Sequence, residues 1–129
     1  MIASILVVDD SDVIRGMLRV LLEEAHHRVI EATDGAQAFA MAEEHHPHLI
    51  IMDVVMPGLY GTTAAKKLHE YRSTANIPII IFSGTADEKI FEKIGLKDDK
   101  NIAFLHKPSN AKEILETVRK MLPEGGYTR

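Results

Sequence analysis

The chain has 129 residues, 46% apolar and 26% charged, which suits one globular domain with a single continuous core and leaves no room for a second. It has no cysteine, so disulfides and thiolate metal sites are excluded, and its longest apolar runs fall far short of the ~20 residues of a membrane span. A net charge of −4 without a long basic run argues against a surface for nucleic-acid phosphates, and the start MIASILVVDD lacks a basic leader region, so a cytoplasmic protein without membrane insertion is expected.

In chain order, SILVV (4–8) has the short, Val- and Ile-rich composition of a strand and runs into Asp9 and Asp10. Val13, Ile14, Met17, Leu18, Leu21, Leu22 and Ala25 then recur at the three-and-four spacing of a helix face, with Asp12 as a cap or first-turn residue. RVIEA (28–32) is a second strand, and its Arg28 and Glu31 mark it as an edge. ATDGAQAFAMAEEHHP carries an Asp-Gly turn, a helical stretch with Ala38, Phe39 and Ala42 on one side, and a proline stop. HLIIM (48–52) leads straight into Asp53 and then a Pro57-Gly58 break. A helical GTTAAKKLHEYR follows, then the strand IPIIIF (77–82) before Ser83, the helical TADEKIFEKIG, and the strand IAFL (102–105) before Lys107. Ile114, Leu115, Val118, Met121 and Leu122 form the last helix, which Asn110 and Glu113 are spaced to cap.

Strict alternation of five strands with helices predicts a parallel sheet, doubly wound, with helices on both faces, because each right-handed crossover needs a helix. The strands ILVV, LIIM and IIIF are apolar throughout, which places strands one, three and four in the middle. In such a sheet functional groups collect at the carboxyl ends of the strands. Asp9, Asp10, Asp53, Ser83 and Lys107 should therefore meet on one rim.

A lone Asp after a strand is commonly a turn former or helix cap, but three on the ends of different strands need no such cluster of caps. Together they repel, and each tends to bind a proton unless a cation is present. Oxygen-only donors suit Mg²⁺ (or Mn²⁺), and a lysine and a hydroxyl on the same rim suit the remaining oxygens of a phosphate. Phosphoryl transfer is the chemistry this set predicts. The clusters His26-His27 and His45-His46 with His48 do not share a helix face and read as solvated helix ends rather than a metal site.

The motifs ILVVDDS, DGAQAF, LIIMDVVMPGLYG, IPIIIFSG and FLHKP, in this order, resemble the receiver domain of two-component response regulators over residues 3–122. The resemblance implies a flavodoxin-like α/β fold with strand order 2-1-3-4-5, a receiver over 1–122 and a flexible tail over 123–129. It implies Asp53 as phosphoacceptor, Asp9, Asp10 and Asp53 with the Val55 carbonyl as metal ligands, and Lys107 as the phosphate-pairing lysine, turned inward by a cis bond to Pro108. Ser83 is implied as the switch hydroxyl and Phe104 as the switch aromatic. The implied role is signalling rather than enzymatic. A sensor histidine kinase or histidine phosphotransfer protein would supply the phosphoryl group, and a downstream protein effector would read it.

Two departures stand out: the passage LKDDKNIA before Phe104 is longer than usual, and Ser109-Asn110 follows Lys107-Pro108 where many receivers carry Phe. Three other readings are open to the residues. One is a receiver-like interaction module independent of phosphate. Another is a phosphohydrolase of the haloacid dehalogenase type, which would want an Asp where Val55 stands. The third, a nucleotide-binding flavodoxin-like protein, lacks the glycine-rich loop after strand one.

Overall fold

The computed structural model describes residues 2–53, 61–83, 99–107 and 109–122. Five strands, β1 (Ser4–Val8), β2 (Arg28–Ala32), β3 (Leu49–Met52), β4 (Ile79–Ser83) and β5 (Ile102–His106), form one parallel sheet in the order β2-β1-β3-β4-β5. The four described helices are α1 (Asp12–Glu24), α2 (Gly35–His45), α3 (Gly61–Glu70) and α4 (Ala111–Met121). The doubly wound parallel sheet expected from the alternation is therefore present, with the flavodoxin-like strand order that the resemblance implied and β2 at an edge. The helical pattern TADEKIFEKIG, the tail 123–129 and Pro108 lie outside the described residues.

Side chains alternate along each strand, so two apolar layers form, one on each face. Ile5, Val7, Leu49, Ile51, Ile80 and Phe82 pack against Leu18 and Leu22 of α1 and Ile114 and Val118 of α4. Leu6, Val8, Ile50, Met52, Ile79 and Ile81 pack against Ala38 and Ala42 of α2 and Ala64, Ala65 and Leu68 of α3. Burial on both faces is the reason β1, β3 and β4 are apolar without interruption.

The helix starts follow from local chemistry. The Ser11 hydroxyl accepts the Ile14 N–H, the Asp34 carboxylate accepts the Gln37 N–H, and Asn110 forms a reciprocal capping box with Glu113. Asp12 is a first-turn residue, where its charge faces the positive end of the helix.

Two sequence expectations need correction. The seven apolar positions of α1 do not all face the core. Leu18 and Leu22 are buried, whereas Val13 and Met17 are exposed. Successive residues on a helix are ~100° apart, so pairs such as 13/14 and 17/18 spread over an arc wider than one sheet face can cover. Nor is His48 a solvated helix end. Its Nδ1 accepts the Ser4 N–H (2.9 Å) while its own N–H donates to the Ser4 carbonyl (2.8 Å), tying the approach to β3 to the start of β1.

Candidate functional site

Register and alternation together place the acidic rim. Val8 of β1 pairs with Met52 of β3, so the next residues, Asp9 and Asp53, emerge side by side. Their backbones continue the ladder: the Asp9 N–H donates to the Ala32 carbonyl (3.2 Å) and the Asp53 N–H to the Val8 carbonyl (2.9 Å). Both follow the parity of the residues facing α1 and α4, after Val7 and Ile51 respectively, and Lys107 follows the same parity after Ala103 and Leu105.

The side chains meet accordingly. Lys107 Nζ donates to Asp9 Oδ2 at 2.9 Å and to Asp53 Oδ2 at 3.3 Å, passing 5.3 Å from the centre of the Phe82 ring on β4. Asp9 is 2% exposed and Asp53 9%, so both carboxylates lie at the bottom of the rim, whereas Asp10 is exposed. Burial alone would lower the pKa of Lys107, but the hydrogen bond to Asp9 and the charges of Asp53 and Asp9 outweigh it and hold the pKa above the ordinary lysine value. The ammonium therefore stays charged among anions.

Asp9, Asp10 and Asp53 can each offer an oxygen such that the three atoms lie within 4.8 Å of one another. Donors bound to one Mg²⁺ at ~2.1 Å sit roughly 3–4 Å apart, so these carboxylates fit one ion with slight closure or with water completing the shell. The fit is also electrostatic, since a divalent cation offsets the repulsion of carboxylates gathered this closely.

Of the other predicted residues, Ser83 ends β4 opposite His106, with its side chain outside the described set, and Val55 lies outside it entirely. Phe104 is half-buried and packs against the layer facing α2 and α3, as core aromatics do.

Sequence reasoning missed the layer of support behind the rim. The Ser11 N–H donates to Asp9 Oδ1 (2.9 Å), and the Arg15 guanidinium donates through Nη1 to the Asp9 carbonyl (2.7 Å) and through Nε to Glu31 Oε1 (2.9 Å), and pairs with Asp12 as well. Arg19 Nε meets the other oxygen of Glu31 at 2.6 Å. The available signal was Glu31, a charge in a short edge strand beside a helix carrying two arginines one turn apart. A separate cleft lined by Ile2, Arg28, His45 and His48 opens at the opposite, amino edge of the sheet, away from these groups.

The family model for the response regulator receiver domain matches residues 5–119, which takes in four strands whole, all of β1 but Ser4, and Asp9, Asp10, Asp53, Ser83 and Lys107. The chain belongs to the response regulator receiver family. Receiver proteins similar to it include PilH of Pseudomonas aeruginosa, 35% identical over 93% of this chain and 98% of that protein, and the polar-differentiation response regulator DivK of Brucella ovis, 29% identical over 95% and 98%. Among solved receivers, the chemotaxis response regulator CheY4 of Vibrio cholerae superposes with a TM-score of 0.83 at 29% identity, covering 95% of this chain and 100% of that one. The receiver domain of a sensor histidine kinase from Pseudomonas aeruginosa, described with a magnesium ion coordinated in its active-site cleft, superposes with a TM-score of 0.81 at 26% identity, covering 94% and 98%. Receivers are signalling domains of two-component systems, working between histidine kinases and downstream effectors, and bind Mg²⁺ in an acidic pocket. No helix among the described residues is long and apolar enough to cross a membrane.

Proposed function

We propose that this receiver takes a phosphoryl group onto Asp53 from a phosphohistidine of a sensor kinase or phosphotransfer protein, or from a small phosphodonor, and then changes its affinity for a protein effector in the cytoplasm. The observation that carries this reading is Lys107 bridging Asp9 and Asp53 at the buried end of adjacent strands. A carboxylate held there is a rigid nucleophile with its oxygens turned to the rim. An Asp53 oxygen attacks phosphorus, the P–N bond to the donor imidazole breaks as the P–O bond forms, and the imidazole leaves with a proton.

Asp9, Asp10 and Asp53 would hold Mg²⁺, with the Val55 carbonyl as a further ligand. The ion supplies charge neutralisation at the transferring oxygens. Lys107 moves from carboxylate to phosphate without changing charge, and the Ser83 hydroxyl takes another phosphate oxygen. Phe104 is assigned to follow Ser83 in the signalling response. The exposed apolar side chains Val13, Met17 and Val20 run down α1 from beside the rim and support docking of the phosphodonor there.

The test is incubation with acetyl phosphate and Mg²⁺, read by intact mass. One phosphoryl group, released by hydroxylamine and absent in excess chelator, is expected. Undiminished labelling in chelator would remove the cation from the mechanism. A label stable to hydroxylamine would remove the acyl phosphate.

A further inference from the structure

Asp9 is bonded at every polar position. Its N–H reaches the Ala32 carbonyl, its carbonyl accepts Arg15 Nη1 at 2.7 Å, Oδ1 accepts the Ser11 N–H and Oδ2 accepts Lys107. Asp10 differs: it is exposed, and among the described residues its side chain has no hydrogen bond. The direction of the Asp10 side chain must therefore come from its backbone. The carbonyl of Asp9 and the N–H of Asp10 belong to one planar peptide unit, so a bond to that carbonyl sets the plane from which Asp10 departs.

We propose that Arg15 is a positioning residue for the acidic site, holding the Asp9–Asp10 peptide so that Asp10 presents its carboxylate to a divalent cation. This rests on the cation site proposed above. The planar guanidinium suits the task because its donors diverge in fixed directions, to Glu31 through Nε, to the Asp9 carbonyl through Nη1 and to Asp12 through Nη2. A cation so near a cation site would ordinarily weaken binding by repulsion. Here Glu31 and Asp12 face the guanidinium and offset its charge, so Arg15 organises the backbone without competing with the metal. Its side chain is 11% exposed, which keeps the arrangement rigid.

Arg19 supplies the control. It shares Glu31 and bonds Glu23 and the Val29 carbonyl, but does not touch Asp9. The experiment is a Mg²⁺ titration followed by backbone amide shifts on wild type, Arg15→Lys, Arg19→Lys and Glu31→Gln, with a thermal melt of each and a parallel acetyl phosphate labelling of wild type. Arg15→Lys keeps the charge and loses the fork. It is expected to weaken Mg²⁺ binding by about tenfold, as loss of a group supporting a metal ligand does, with the shift changes centred on the Asp10 amide. Arg19→Lys should stay within about twofold, even if its melt falls as far. Glu31→Gln should weaken binding too, by exposing the cation to an unbalanced guanidinium, and this variant decides the matter should Arg15→Lys not fold. Unchanged or tighter binding in Arg15→Lys, or equal weakening in Arg19→Lys, overturns the proposal. A wild type that labels without binding Mg²⁺ overturns the cation site as well, which separates the two failures.

Discussion

At the carboxyl edge of the sheet three carboxylates can bring oxygens within 4.8 Å of one another and two of them share the Lys107 ammonium, while at the amino edge histidines brace neighbouring segments. There His48 accepts the Ser4 N–H and His69 Nδ1 meets Asp99 at 2.8 Å. The same strands build both edges, yet among the described residues the acidic cluster lies at the carboxyl edge. The amino-edge contacts are local braces, each joining two chain segments. At the carboxyl edge, among the described residues, Lys107 bridges Asp9 and Asp53 while Asp10 stands exposed beside them. Like charges gathered in this way are ones that a divalent cation can offset.

The contrast breaks most visibly in chemistry. Asp53→Asn should abolish acyl-phosphate labelling, a loss of more than about a hundredfold, whereas His48→Gln at the other edge should label within about twofold of wild type, both by intact mass. Comparable losses in the two variants would erase the distinction between the edges. Next in size is a stability effect. Without metal, Asp10→Asn removes one of three like charges and should raise stability by about 1 kcal/mol in urea denaturation. Saturating Mg²⁺ should raise the melting temperature of wild type and do so much less for the variant.

The smallest effects are in pH dependence, and they sharpen the comparison by separating two limbs. His27 has its pKa lowered by burial and by the neighbouring His26. A histidine held below its unfolded value contributes stability that is present above about pH 6.5 and declines as pH falls from there toward the folded pKa. Glu31 has its pKa lowered by the hydrogen bond from Arg19, against an opposing effect of burial, and further by Arg15. Its stabilisation is present above the unfolded carboxylate value and is lost only as pH falls below that, through the folded pKa. Stability measured by denaturation from pH 8 to 3 should therefore show a first decline that His27→Gln flattens and a second that Glu31→Gln flattens. A single decline insensitive to His27→Gln would show that the amino edge does not titrate with folding.

The parallel sheet, its central and edge strands and the meeting of Asp9, Asp53 and Lys107 were legible because each depends on a repeating physical pattern, whereas the full strand order came from the family resemblance. Continuous apolar strands mean burial on both faces, alternation with helices means parallel pairing, and strand ends carry the functional groups. The α1 face was read too broadly, since spacing alone cannot tell Leu18, which meets the sheet, from Met17 one position earlier, which meets solvent. Nor could it show that His48 pins β1, because a single histidine between helix and strand carries no pattern. The Arg15–Glu31 pair was missed because it joins residues 16 apart through side chains and no period links them, leaving only the charge of Glu31 in an edge strand as a signal.

The contacts that make the rim join Lys107 to residues 54 and 98 positions earlier in the chain. Contacts of such sequence separation pay the largest loop-closure entropy and form only when nearly the whole sheet has assembled. Asp53, its acidic neighbours and Lys107 thus meet only in the finished fold. Under the proposed phosphoacceptor role, a nascent, truncated or partly unfolded chain would carry Asp53 without its partners, so the capacity to be phosphorylated would double as a report that folding is complete.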